Sequence, residues 1–237
     1  MDAGIIMQHK ANIPERLRAI AELAPVSGTA ADIGCDHALT AIEMIRQGKA
    51  ERVIACDVRE EPLKRADKNI RAEGLSDRIE LRLGDGLQPV SGGEADTVII
   101  SGMGGPLMER ILTGRLKDFS CFVLSPQSEL PHFRRFLIEN GMKVIKEELV
   151  YEDKQFYRLF LAGHPGTGPD ENGMEKESYT EVEYAYGWLP LARRDPLLLR
   201  FLRKEETRLS EILMHTSDSG ISGQLMLVRE AISRYED

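Results

Sequence analysis

Four aspartates stand at or just after the ends of three short apolar runs. Asp32 and Asp36 lie in ADIGCDHALT (31–40), Asp57 in RVIACDV (52–58) and Asp85 in IELRLGD (79–85). A carboxylate in such a place can attract a cation, accept from ribose hydroxyls or an amine, or cap a turn or a helix. The first loop begins as a nucleotide-binding loop does, with Gly34 directly after an apolar run. A dinucleotide fingerprint would then need a second glycine, so that a pyrophosphate could approach backbone amides. The chain supplies Asp36 and His37 instead. A carboxylate there repels a pyrophosphate, and the phosphate-cradling GxxxxGK[ST] motif is absent from the chain.

A cationic nucleoside cofactor meets the opposite situation. S-adenosylmethionine carries a sulfonium and an ammonium and no phosphate, so acids near the loop attract it. Asp57 follows the loop by ~20 residues, where an acid accepts from the two ribose hydroxyls; that ribose is common to NAD as well. Asp85, in LGDGL, can accept from an adenine amino group, although Asp-Gly is also a turn signal. Asp36 can cap the helix that follows it, and His37 can cap, pack or touch a ligand. Each acid alone has a structural explanation; three successive run ends together point to one ligand. The fourth apolar run ends in SGMGGPLMER, with Ser101, Gly102, Met103 and Gly104 where a methyl acceptor would meet the methyl group. Glycines there let backbone approach a substrate closely, and they also suit a plain turn before a helix.

These loops need a scaffold. Apolar runs recur at 29–34, 52–58, 79–85, 95–102 and 121–127, several without alternation, as in strands covered on both faces. Helical patterns lie between them and stop at Gly48, Gly74 and Gly114. PERLRAIAELA (14–24) reads as a preceding helix and PHFRRFLIENG (131–141) as a later one. Alternation of this kind predicts an α/β, Rossmann-like, doubly wound parallel sheet. MKVIKEELVYED and KQFYRLFLAG then read as two strands joined by a short polar turn, so the last strand runs antiparallel. That hairpin closes the seven-stranded sheet of class I methyltransferases and is unusual in a dinucleotide-binding sheet.

Residues 164–178 are rich in Gly, Pro and charge and read as loop. Leu198, Leu202, Leu209 and Leu213, then Ile221, Leu225, Val228, Ile232 and Tyr235, recur at helical spacing around a TSDSG turn. They predict a C-terminal α-helical hairpin, coiled-coil-like. The expected division is a cofactor-binding domain over 1–163, a linker over 164–189 and a helical domain over 190–237.

An apolar fraction of 42% over 237 residues excludes a disordered chain. No window is long and apolar enough to span a bilayer, and MDAGIIMQHK has no signal-peptide pattern. Cys35, Cys56 and Cys121 form no CxxC pair, so neither a disulfide framework nor a metal site is expected; a reducing cytoplasm is. A net charge of −8 means that any polyanion would need a local basic patch.

ADIGCDHALT, CDV, LGDGL and SGMGGPL occur in this order, with PERLRAIAELAP before them and LSPQ after them. On these motifs the chain resembles the bacterial tRNA adenine-22-N1-methyltransferase family, strongly over residues 14 to about 162 and more weakly in the helical tail. The family often has serine at the place of Cys35 and an aromatic at that of Leu39. The resemblance implies a class I fold with a helical C-terminal extension, S-adenosylmethionine as cofactor, tRNA as partner and methylation of adenine N1. It places Asp32, Gly34, Asp36, His37, Asp57, Val58, Asp85 and Gly86 around the cofactor, and Ser101 through Gly105 at the target base. A basic stripe then becomes of interest. Arg193 and Arg194 precede the tail, and Arg200, Lys204 and Arg208 follow at intervals of four, with Arg203 nearby. A polyanion would relieve their mutual repulsion; pairing with Glu205, Glu206 and Glu211 would do so too. A methyltransferase for a small molecule or protein, a non-catalytic nucleotide-binding protein and an NAD-linked oxidoreductase are the competing classes. Oligomeric state stays open between a monomer and a weak dimer.

Overall fold

The computed structural model describes residues 13–166, 176 and 178–236. The MDAGIIMQHK stretch and most of the Gly/Pro-rich loop lie outside the described residues. Seven strands form one sheet: β1 (Ser27–Ile33), β2 (Ala50–Asp57), β3 (Ile79–Leu83), β4 (Thr97–Met103), β5 (Cys121–Pro126), β6 (Lys143–Glu152) and β7 (Gln155–Gly163), in the order β3-β2-β1-β4-β5-β7-β6. The first five pair in parallel, and β7 enters antiparallel between β5 and β6.

The apolar runs lack alternation because both faces are covered. Helices α1 (Glu15–Leu23), α2 (Leu39–Arg46) and α3 (Glu60–Ala72) pack on one face, where Ile20, Met44, Ala66 and Ile70 join Ala30, Ala55 and Ile99 of the strands. Helices α4 (Gly105–Leu112) and α5 (Leu130–Glu139) cover the other, where Met108, Leu112, Phe133 and Leu137 meet Ile100, Phe122 and Phe160. Val98, Ile99 and Ile100 of β4 are wholly buried, as a central parallel strand requires.

The β6–β7 turn consists of Asp153 and Lys154, with φ of 49° and 65°. Two positive φ values in a two-residue loop match the twist of the strands they join. Leu124 pairs with Phe160 across β5 and β7. Continuing that register sets Arg158 opposite Pro126, so Gln155, Phe156 and Tyr157 project beyond the carboxyl ends of the parallel strands.

Within the stretch read as linker, Glu181–Tyr186 form α6, and α7 (Trp188–Ala192) begins before its end. A six-residue helix is too short to show periodicity. Its signal is the capping box at Thr180 and Glu183, where each side chain accepts from the other's backbone N–H. Helices α8 (Pro196–Leu213) and α9 (Ser219–Ser233) make the expected hairpin, with Leu198, Leu202 and Leu209 packed against Leu225, Val228 and Ile232. Asp195 and Asp218 cap them, Asp218 Oδ1 accepting from the Ile221 N–H at 3.0 Å.

The tail is fastened to the sheet. Arg134 of α5 pairs with Glu147 of β6, both side chains being 2% exposed. Arg134 Nη1 also donates to the carbonyls of Tyr184 (2.7 Å) and Ala185 (2.9 Å) in α6. Arg193 donates to the Glu147 carbonyl at 2.7 Å, and Phe156 meets Phe201 edge-on at 5.3 Å. No described helix is long and apolar enough to cross a membrane.

Candidate active site

A cleft of about 680 Å³ opens at the carboxyl ends of β1, β2, β3 and β4. Ligands of open α/β sheets bind at this edge, next to the point where strand order reverses, here between β1 and β4. Asp32, Gly34, Asp36, His37, Asp57, Val58, Asp85 and Gly86 all line it, as do Ser101, Gly102 and Met103. Gly104 lies outside the lining; it is the N-cap of α4, while Gly105 is buried in that helix.

The first loop is tightly held. Gly34 N–H and Cys35 N–H both donate to the Cys56 carbonyl, at 2.8 and 2.9 Å. Gly34 has φ +75°, and a Cβ there would collide with the Met103 methyl. Asp36 and Ala38 also have positive φ, 45° and 56°, an uncommon state for residues with a side chain. Ala38, without a side-chain bond, is the N-cap of α2. Helix capping therefore does not explain Asp36. Its carboxylate is exposed and lies 3.5 Å from His37 Nε2. The His37 carbonyl accepts from Asn69 of α3 at 3.0 Å.

Asp32 is 2% exposed, and its Oδ2 has no hydrogen-bond partner among the described residues. Burial pushes its carboxyl up to about 7; the Ala41 backbone at the start of α2 opposes this and Asp57 adds to it. Asp57 is also buried, with Oδ1 accepting from the Arg59 N–H at 3.0 Å. Asp85 is half-buried and 3.4 Å from Arg110 Nη2. Burial likewise raises the thiols of Cys35 and Cys56, the second to about 12, so both stand as small packed groups rather than nucleophiles.

The buried orphan on Asp32, the two further acids and the side-chain-free approach at Gly34 fit a cationic nucleoside. They disfavour a pyrophosphate. The strands on the other side contribute neutral groups: Ser101 and Gly102 from β4, Ser125 from β5, Gln127 just after it and Tyr157 from β7, over whose ring Arg16 lies at 5.4 Å. Sequence reasoning did not assign Arg16, Arg110, Gln127 or Tyr157 to the site. Tyr157 arrives only because β7 overhangs the sheet edge. Gln127 stands in the LSPQ segment, in which no role was read.

The basic stripe divides in two. Arg203 pairs with Glu206 and Glu236, and Arg208 with Glu205. Arg193 pairs with Asp195 at 2.9 Å, and Arg194 is exposed at the turn into α8. Arg200 instead lies over the Tyr151 ring at 4.0 Å, and Lys204 over Phe156 at 5.8 Å. Both stack on the overhanging hairpin beside the cleft.

A sheet in this order, with acids gathered at the ends of β1, β2 and β3, defines a class I methyltransferase. Comparison with known proteins agrees. A family described as a methyltransferase domain matches residues 13–160. The tRNA (adenine(22)-N(1))-methyltransferase of Bacillus subtilis (strain 168) is 32% identical over 180 residues, 75% of this chain and 72% of that protein. The structure of M. capricolum TrmK in complex with S-adenosyl-homocysteine superposes with a TM-score of 0.80 at 25% identity, covering 93% of this chain and 97% of that one. The crystal structure of the B. subtilis m1A22 tRNA methyltransferase TrmK gives a TM-score of 0.75 at 24% identity, covering 96% and 98%. The chain belongs to the tRNA (adenine(22)-N(1))-methyltransferase family.

Proposed function

We propose that this protein is a cytoplasmic enzyme that transfers the methyl group of S-adenosylmethionine to N1 of an adenine in tRNA, at position 22. The observation that carries the reading is the meeting of Asp32, Asp57 and Asp85 in one cleft of a chain 32% identical to an enzyme of that name. Asp57 would hold the ribose hydroxyls, with Val58 against the adenine ring. Asp85 would accept from the adenine amine once Arg110 gives way. Asp32 and Asp36 would face the cationic end, with His37 and Gly86 closing the loops around it. When bound, S-adenosylmethionine supplies a methyl group already activated on a sulfonium.

The rest is positioning and desolvation. Adenine N1 carries a free lone pair when the base is neutral, so no protein base has to remove a proton before attack. N1 lies on the Watson–Crick edge, so the base must first leave its stack or pair. Ser101, Gly102 and Met103 would receive it, with backbone close to the reacting edge. The tRNA would follow the overhanging hairpin, where Arg200 and Lys204 have no carboxylate partner among the described residues and Arg194 is exposed. Arg193, Arg203 and Arg208 would join after releasing their acids.

Incubation with S-adenosylmethionine and unmodified tRNA, followed by nucleoside analysis, should yield 1-methyladenosine. Cofactor binding without that product, on any tRNA, would sink the assignment and favour a methyltransferase for another acceptor.

A further inference from the structure

The two halves of the cleft differ in charge. The ends of β1, β2 and β3 carry Asp32, Asp36, Asp57 and Asp85, whereas β4, β5 and the residue after β5 contribute only neutral polar groups, with Arg16 and Arg110 entering the cleft from α1 and α4. Ser101 and Ser125 offer hydroxyls there, and Gln127 offers an amide that can donate and accept at once. Gln127 is placed firmly: its N–H donates to the Met103 carbonyl at 2.9 Å, next to the register shift between Ser101 and Met103. A bulge of this kind re-aims the residues around it. The extra residue, Gly102, has φ +75°, and a Cβ built on it would lie 3.9 Å from Gln127 Nε2. The Gln127 side chain is exposed in the cleft, and no protein group among the described residues takes up its amide. Its backbone is thus fixed while its recognition group is left open to a ligand.

We propose that Gln127 is a specificity-determining residue that reads the N6/N7 edge of the acceptor adenine, Oε1 accepting from N6 and Nε2 donating to N7. This rests on the function proposed above. An attacking N1 must keep its lone pair unshared, so the protein cannot saturate the Watson–Crick edge. The N6/N7 edge remains, and a glutamine amide matches its donor and acceptor in two parallel bonds. A charged residue would serve less well, since the methylated base becomes cationic while the incoming base is neutral. The amide serves both.

The test is a double-mutant cycle on intact protein and full-length tRNA. One arm is Gln127→Ala; the other is tRNA carrying 7-deazaadenosine at the target, which lacks only the N7 acceptor. Wild-type protein should lose about 10- to 100-fold in kcat/KM on the deaza substrate, the range for one bidentate base contact. Gln127→Ala should lose a similar factor on normal tRNA and little more on the deaza substrate. Its affinity for S-adenosylmethionine, by calorimetry, should stay within twofold of wild type. Losses that multiply, or a wild type indifferent to the deaza substitution, would overturn the contact while leaving adenine methylation intact. Absence of 1-methyladenosine with wild-type protein would instead overturn the proposed function, and this contact with it.

Discussion

The Met103 methyl fills the space that a side chain on Gly34 would need. The turn after β1 and the end of β4 therefore meet in the lining of the cleft. Gly34→Ala adds this clash to a φ of +75°, a conformation that costs a non-glycine residue about 1–2 kcal/mol. S-adenosylmethionine affinity should fall at least tenfold by calorimetry, with a lower Tm. Gly34→Ala with Met103→Ala should recover only part, since the backbone strain remains. Full recovery would show that the clash alone mattered.

Asp57 should anchor the cofactor. Asp57→Ala removes a buried acceptor at the end of β2, and affinity for S-adenosylmethionine should drop by about tenfold or more, in keeping with a lost hydrogen bond to a charged group of about 1.5–3 kcal/mol. Unchanged affinity by calorimetry would remove the ribose assignment.

Asp32 predicts a pH dependence of definite sign. Its folded pKa, about 7, lies above the ordinary 3.8, so the folded state holds the proton more tightly than the unfolded one. Its contribution to stability is full below about pH 4 and is lost as pH rises to 7 and beyond. Asp32→Asn should then raise Tm at pH 8, with a gain that shrinks toward pH 4. A cationic ligand reverses the preference: S-adenosylmethionine should bind wild type more tightly at pH 8 than at pH 6, releasing a proton at the lower pH. Calorimetry in buffers of different ionisation enthalpy reads that release, and Asp32→Asn should abolish it. Equal proton counts in the two proteins would assign the titration elsewhere.

Arg134 and Glu147 hold the tail. Arg134→Ala leaves the buried Glu147 carboxylate unpaired and the Tyr184 and Ala185 carbonyls without their donor, and should cost about 3–5 kcal/mol in chemical denaturation. Arg134→Met with Glu147→Leu should cost less, because the pair leaves together and the one charge left buried nearby, Arg158, loses the repulsion of Arg134 along with the attraction of Glu147. Equal losses would mean that the ion pair itself stabilises the junction.

The two groups of tail cations should differ in their effect on tRNA. Arg200→Glu with Lys204→Glu should weaken binding at least tenfold in a gel shift at moderate salt. Arg203→Glu with Arg208→Glu should do less, since those residues are already paired with acids. The reverse ranking would move the RNA path to the other face of α8.

Much of this was legible in the residues. The five parallel strands followed from apolar runs bounded by helical patterns, and the terminal hairpin from two strand-like segments around a polar turn. The acids of the cleft were legible because local sequence carries each to a strand end. Tyr157 and Arg16 were not, since their approach depends on pairing between segments far apart in the chain. Asp36 read equally well as a helix cap, because capping and ligand binding ask for the same side chain; the Ala38 backbone decides between them. Helix α6 was missed for want of length. The division of the basic stripe could not be read either, because Tyr151 and Phe156 come from another element.

The overhang of β7 has one more consequence. Since the same hairpin supplies Tyr157 to the cleft and Phe156 to the tail, the span between tail and cleft is set by a single rigid piece of backbone. A long ligand touching both would be measured as if by a caliper, and the nucleotide selected would depend on reach. Lengthening the hairpin by one residue pair would reset the gauge.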